Sequence, residues 1–359
     1  MRIRFAFIVL IHLGLSSSRA DSAGDWMVQL KLDGQPIEGM PLAWSHQQVH
    51  LLARDGRLWT FAPDAAKEFR KSADRFRSYP ASEFRAVLLR ELGQGYEVSG
   101  TGHYLVAHPA GQRDLWAQRF EDLYRSFVHY FSVRGFKLNE PRFPLVGVVC
   151  RDQQEFLHYS AAQGAQVGAS ILGWYSSESN RLLLYNVNSG FKEGDYWGET
   201  LATLIHEATH QTAFNSGLHS RYTPPPVWVI EGIATLFEAP GVSNSRFHTN
   251  QIDRINRGRL RHFQQLAPKH RPELIRDLVV SDRLFRLSPT LAYAEAWALT
   301  FYLVETEPRK YANYLARTAS HAPFQEVAAE ERLADFAAVF GDDWPMLEAK
   351  FLRFMGGLK

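Results

Sequence analysis

The chain has 359 residues, 45% of them hydrophobic and 13% aromatic, with 40 lysines and arginines against 38 acidic residues. That is enough apolar material for a large core, split over more than one domain, and the near balance of charge gives nothing to recruit nucleic acid. The single cysteine, Cys150, excludes an internal disulfide.

Residues 1–20 read as an export signal: Arg2 and Arg4, an apolar run from Phe5 to Leu15, then Ser18-Arg19-Ala20 with small residues flanking a cleavage point after Ala20. The run is too short to span a bilayer, no second stretch approaches that length, and no cysteine near the cleavage point offers a lipid anchor. The expectation is a secreted or periplasmic protein with no transmembrane segment after signal removal; an uncleaved anchor is the alternative. Cleavage would remove three arginines and no acidic residue, taking the net charge from +2 to −1.

Residues 21–93 form the next segment, read as a small β-rich module. Short strand-like runs between Asp25 and Phe61 are separated by Asp33-Gly34 and by Asp55-Gly56, the latter a two-residue hairpin signal. The polar stretch from Pro63 to Pro80 reads as a linker to a short helix, Ser82 to Leu92, and Gly93-Gln94-Gly95 marks a boundary.

Residues 94–240 alternate. Strands are expected at Tyr96 to Ser99, His103 to Ala107 and Leu145 to Cys150, helices at Leu115 to Val133 and Gln153 to Gln163, and a hairpin from Ala169 to Tyr175 and Arg181 to Asn186. The pattern is a mixed sheet. Cys150 ends an apolar run and is expected as a buried free thiol. Gly164 to Gly168 serves as a connecting loop, and Ala169 to Tyr175 is the candidate edge strand that an extended peptide would pair with.

The apolar residues Leu201, Leu204, Ile205, Ala208 and Phe214 recur at helical spacing, with Gly198-Glu199 suiting a start and Asn215-Ser216-Gly217 a stop. This helix carries His206-Glu207-Ala208-Thr209-His210. Residues four apart lie about 40° from each other around a helix axis, so both imidazoles point the same way. Past Pro224-Pro225-Pro226, which cannot be helical, a second helical pattern runs from Val227 to Glu238 and carries Glu231, with Gly232 allowing close approach to a neighbour. His206, His210 and Glu231 supply three donors for zinc, leaving one position for water. Glu207, about 100° further around the helix, flanks the metal as a base. His219 and Arg221, between the two helices, are either substrate contacts or part of a surface loop.

Residues 241–359 read as helical throughout, with Leu291 to Glu305 the most regular element. Arg254, Arg257, Arg259, Arg261, Lys269 and Arg271 form a basic cluster, read as a solvated helix surface, with recognition of an acidic substrate as the alternative.

From His206-Glu-Ala-Thr-His-Gln through Pro226-Val-Trp-Val-Ile-Glu-Gly-Ile-Ala-Thr, the chain resembles the gluzincins, the thermolysin-like zinc metallopeptidases. It is most similar to an uncharacterised peptidase MA-like family of exported bacterial proteins, catalogued as a domain of unknown function. The resemblance is closest over 199–240 and weaker over 96–302. It implies zinc ligands His206, His210 and Glu231, with Glu207 as general base and acid. With the residue patterns, the expected fold is α+β: a small β-rich N-terminal module, a domain of mixed sheet and zinc-site helices that the resemblance makes gluzincin-like, and a helical C-terminal part that completes the cleft. Tyr293 resembles a gluzincin tyrosine that steadies the oxyanion, although aromatics at this spacing also build cores. Thermolysin-type enzymes carry an aspartate four residues after the ligand glutamate to orient a metal histidine, whereas this chain has Thr235. Glu238 either takes over that role or stands solvated at the helix end, the simpler reading. No Gly-x-Met-Glu-Asn segment precedes the zinc helix, so nothing points to an aminopeptidase.

The expected function is an exported zinc-dependent peptidase with a peptide or protein substrate. The alternatives are a zinc hydrolase acting on a non-protein amide such as a cell-wall cross-link, and a non-catalytic binding protein with a structural zinc site. Retention of Glu207 weighs against the last, since a structural site has no use for a base.

Overall fold

The computed structural model describes residues 21–22, 25–185, 197–266 and 272–358; residues 1–20, read above as an export signal, and Asn186, Lys269 and Arg271 lie outside them. The fold is α+β: a β-rich N-terminal module, a mixed sheet with helices, and a helical C-terminal part. Among the described residues no helix is long and apolar enough to cross a membrane. The chain packs as two compact units. One holds the described residues up to Glu121 with Pro141–Leu204, and the other holds Asp122–Glu140 with the described residues from Ile205 onward.

The first unit contains two sheets. Strands β1 (Asp21–Ser22), β2 (Met27–Leu32), β3 (Gln35–Trp44), β4 (Val49–Ala53), β5 (Leu58–Phe61) and β6 (Ala66–Ala73) are antiparallel, in the order β5-β4-β3-β2-β6, with β1 pairing β3. Val28, Leu30, Ile37, Val49, Leu51 and Phe61 form their core. At Asp33-Gly34 both residues take left-handed φ, 49° and 77°, giving the two-residue primed turn whose twist matches its strands. The second hairpin forms where expected but by different geometry. Only Gly56 is left-handed, its N–H bonds Ala53 O at 3.0 Å, and the loop is the three-residue Arg54-Asp55-Gly56. The polar stretch after Phe61 is not merely a linker, because 66–73 form β6. Its side chains are largely exposed, so backbone pairing to β2, rather than a buried face, holds it.

The second sheet follows α1 (Ala81–Leu92). It comprises β7 (Tyr96–Gly100), β8 (Tyr104–Pro109), β9 (Leu145–Cys150), β10 (Gly173–Ser176) and β11 (Arg181–Tyr185), in the order β10-β11-β9-β8-β7, with α2 (Arg113–Ser132) and α3 (Gln153–Ala162) as connections. Strand β9 runs parallel to both neighbours and is buried at all six positions, as a central parallel strand must be. Cys150 is buried there as a free thiol, and burial pushes its pKa up. Strand β10 lies at the sheet edge but begins at Gly173, since residues 169–172 make no ladder. Arg181 ties this sheet to the N-terminal hairpin, pairing with Glu91 at 2.6 Å and with Asp55 at 3.6 Å.

The second unit is helical: α4 (Trp197–Asn215), of which residues from Ile205 belong here, α5 (Val227–Phe237), α6 (Pro240–Ser243), α7 (Arg257–Leu266), α8 (Leu274–Val280), α9 (Arg283–Leu287), α10 (Pro289–Thr306), α11 (Pro308–Ala319), α12 (Ala329–Phe340) and α13 (Trp344–Gly356). Helix α10 is buried from Leu291 through Val304 and α5 along its whole length, so neither has a solvent face and together they form the centre of the unit. Their approach depends on Gly232. A Cβ there would overlap Thr300 Oγ1 and lie 2.8 Å from the Ala296 carbonyl oxygen. The start of α5 is fixed by Asp282, which accepts the Val227 N–H at 3.0 Å and is held by both terminal nitrogens of Arg332 at 3.1 and 3.0 Å. A carboxylate at a helix N-terminus also meets the positive end of the helix dipole.

Gly232→Ala therefore sets about 1 kcal/mol of gained helix propensity against an overpacking cost of about 1–3 kcal/mol. A backbone carbonyl cannot rotate away, so the cost wins. The expected result is a melting temperature lowered by roughly 2–8 °C in a thermal unfolding scan; an unchanged or raised value contradicts this packing.

Candidate metal centre

Helix α4 delivers His206 and His210 from one face. Both are buried, at 1% and 2% exposure, with ring centroids 4.7 Å apart and planes nearly perpendicular. Helix α5 delivers Glu231, also buried. One ligand atom from each of the three residues lies within 4.8 Å of the others. His206 Nε2 is 3.3 Å from Glu231 Oε2, and His210 Nε2 is 3.8 Å from Glu231 Oε1.

This donor set fits a metal ion. Two donors each about 2.0–2.1 Å from a tetrahedral ion stand about 3.3 Å apart, the spacing found between His206 and Glu231. Glu231 Oε2 is nonetheless buried with no hydrogen-bond partner of acceptable geometry, although His206 Nε2 is close by. A buried carboxylate oxygen beside two imidazoles suits a bound cation. A buried acceptor left unsatisfied would otherwise cost about 1–3 kcal/mol.

Glu238 does not stand solvated at the end of α5. Its Oε1 accepts the His206 Nδ1–H at 2.9 Å, which leaves Nε2 to face the metal position. Thr235 is not that partner: its hydroxyl turns back on the helix, towards the carbonyls of Glu231 and Gly232 at 2.6 and 3.1 Å. Glu238 is in turn held from α7 and the turn before it. Asn256 Nδ2 donates to Glu238 Oε2 at 2.8 Å, while Arg259 Nη2 and Nε reach Oε1 and Oε2 at 3.2 and 3.4 Å. Burial resists the charge on Glu238, but Arg259 and His206 outweigh it and hold its pKa down at about 2. For His206, burial disfavours the cation, yet the carboxylates of Glu231 and Glu238 raise its pKa to about 10. His210, buried and facing His206, is pushed well below the ordinary histidine value.

Glu207 is buried at 6% exposure, and its charge acts on both His206 and Tyr293. Tyr293 lies near the start of α10, buried, where the Glu231 charge acts on its hydroxyl. Its ring packs edge-on against Phe285 at 5.4 Å, and the Arg259 guanidinium lies 5.3 Å from its centroid. Burial first, and the Glu231 charge second, raise the phenol well above its ordinary pKa, so it remains an O–H donor. The segment between the two helices is not a surface loop. His219 and Arg221 are buried, with the His219 ring against Phe214 and its pKa lowered by burial to about 3. Thr223 Oγ1 and Tyr222 O bond the 322–324 stretch, which ties the segment down.

The described members of the basic cluster do not form a single patch. Arg254 pairs with Glu305 at 2.8 Å, Arg259 is turned in to Glu238, and Arg257 and Arg261 are exposed. Asn256 and Arg259 thus join the site from a segment whose charge pattern read as solvated. A basic residue that turns inward carries no mark in its neighbours.

Residues 200–325 match a family described as "Protein of unknown function (DUF1570)". No curated protein matches the chain.

Because the folded-state pKa of His206 lies above that of a free imidazole, its ion pairs stabilise the metal-free protein fully below about pH 6.5 and progressively less as pH rises towards about 10. A bound divalent ion takes the place of that proton. Melting temperatures should therefore fall between pH 7 and pH 10 without metal and hold nearly level with saturating zinc. A metal-free protein as stable at the upper end of that range as at the lower contradicts the assignment.

Proposed function

We propose that the chain is an exported zinc-dependent metallopeptidase of the gluzincin kind. The observation that carries this reading is the convergence of His206, His210 and Glu231, with Glu207 on the same helical turn and Glu238 behind His206. Two imidazoles and one carboxylate favour zinc over calcium or magnesium, which prefer oxygen donors. Three protein donors, rather than the four of a structural site, leave room for chemistry. Zinc, when bound, supplies a Lewis acid that polarises a carbonyl and lowers the pKa of water towards about 7.

The protein side of the reaction falls to named groups. Glu207 takes the proton of the attacking water on its carboxylate and returns it to the leaving amine. The neutral Tyr293 hydroxyl donates a hydrogen bond to the carbonyl oxygen as it gains charge. Glu238 holds His206 in one tautomer and one orientation, so no reorganisation is needed there during turnover. The resemblance of the two-helix segment to the gluzincins supports the same assignment, and the signal-like residues 1–20 support export.

Glu207→Gln should lower the rate on a mixed peptide library by about 10²–10⁴-fold while leaving one zinc bound per chain. His210→Ala should lose the zinc itself, as read by elemental analysis. Full activity in Glu207→Gln overturns the mechanism. Zinc binding without peptide cleavage, but with hydrolysis of cell-wall peptide cross-links, shifts the substrate to a non-protein amide.

A further inference from the structure

Arg259 reaches both the Glu238 carboxylate and the ring of Tyr293. Its Nη2 and Nε meet the two oxygens of Glu238, which binds His206, and its guanidinium lies 5.3 Å from the ring centre of Tyr293, on whose hydroxyl the Glu231 charge acts. Asn256 locks this arrangement. Its Oδ1 accepts the Arg259 backbone N–H at 3.1 Å, and its Nδ2 donates at 2.8 Å to both Glu238 Oε2 and the Thr235 carbonyl. Asn256 is itself buried, and the Arg259 side chain retains only 14% exposure.

We propose that Arg259, braced by Asn256, is a positioning residue that fixes Glu238 and Tyr293 as one unit and so sets the geometry of the metal centre from α7. The inference rests on the metal-centre reading above. Its physical basis is shape as well as charge. A planar guanidinium can present an edge with two donors to a carboxylate and a face to an aromatic ring, whereas an ammonium offers a compact charge that can do one or the other. If Arg259 supplied charge alone, lysine would replace it. If it positions, lysine leaves Glu238 held by Asn256 at one oxygen only, the Nδ1 partner of His206 is less fixed, and the ligand set loosens.

The test is zinc affinity of the full mature chain, by chelator competition, for wild type, Arg259→Lys, Glu238→Gln and the double variant. Arg257→Lys serves as an exposed control on the same helix. Loss of an outer partner of a metal histidine typically weakens binding about 10–100-fold. We expect Arg259→Lys to fall in that range, Arg257→Lys to match wild type, and Arg259→Lys to add nothing once Glu238 is already Gln, since it acts through that carboxylate. Should Arg259→Lys fail to fold, Asn256→Ser removes the brace and is expected to weaken zinc in the same direction. Wild-type affinity in Arg259→Lys, or losses that add in full in the double variant, overturns the positioning role and leaves the metal centre standing. A wild-type chain that binds no zinc overturns both.

Discussion

Charge burial is the constraint on which the helical unit turns. Glu207, Glu231 and Glu238 bring three carboxylates to the two imidazoles, and the Arg259 guanidinium offsets one of them. Within this group two negative charges remain, the amount one divalent cation cancels. Buried charge left without compensation costs several kcal/mol per ion, so the unit must acquire a cation or alter its protonation. In the metal-free protein the second course is favoured, because the carboxylates of Glu231 and Glu238 raise the pKa of His206 to about 10. A metal ion held by these residues would compete with that proton for the same place, coupling the stability of the fold to the loading of the site.

Holding Glu231 in position explains features of α5 that would otherwise look unrelated. Its first turn is tied through Val227 to Asp282 and Arg332, its middle meets α10 across Gly232, and its end is fixed where Glu238 meets Asn256 and Arg259. A helix buried along its whole length and fixed at three points has little freedom to shift a ligand.

Much of this was legible in the sequence. Helices α4 and α5 announce themselves by apolar spacing and by the breakers around them, and β9 by its unbroken apolar run. These signals persist because burial on a defined face leaves a period in the residues. Strand β6 was hidden for the opposite reason, since exposed polar residues held only by backbone pairing have no period. The turn at Gly56 was mistaken for a two-residue loop because the sequence does not say whether Asp55 shares the left-handed conformation, and it does not. Glu238 was harder still. Whether a carboxylate at a helix end faces water or a histidine depends on Asn256 and Arg259, which arrive from another segment. The same holds for His219, buried by the 213–223 segment and the later stretch that ties it down.

The central claim, that His206, His210 and Glu231 jointly bind one zinc ion, is tested most directly by X-ray absorption at the zinc edge on the loaded, chelator-washed protein. The account predicts a first shell of nitrogen and oxygen at about 2.0–2.1 Å, free of sulfur, with the outer-shell signature of two imidazoles. That signature should fall to one imidazole, or the zinc be lost, in His210→Ala. A shell without imidazole, or a spectrum unchanged by the substitution, would place the metal elsewhere and contradict the account.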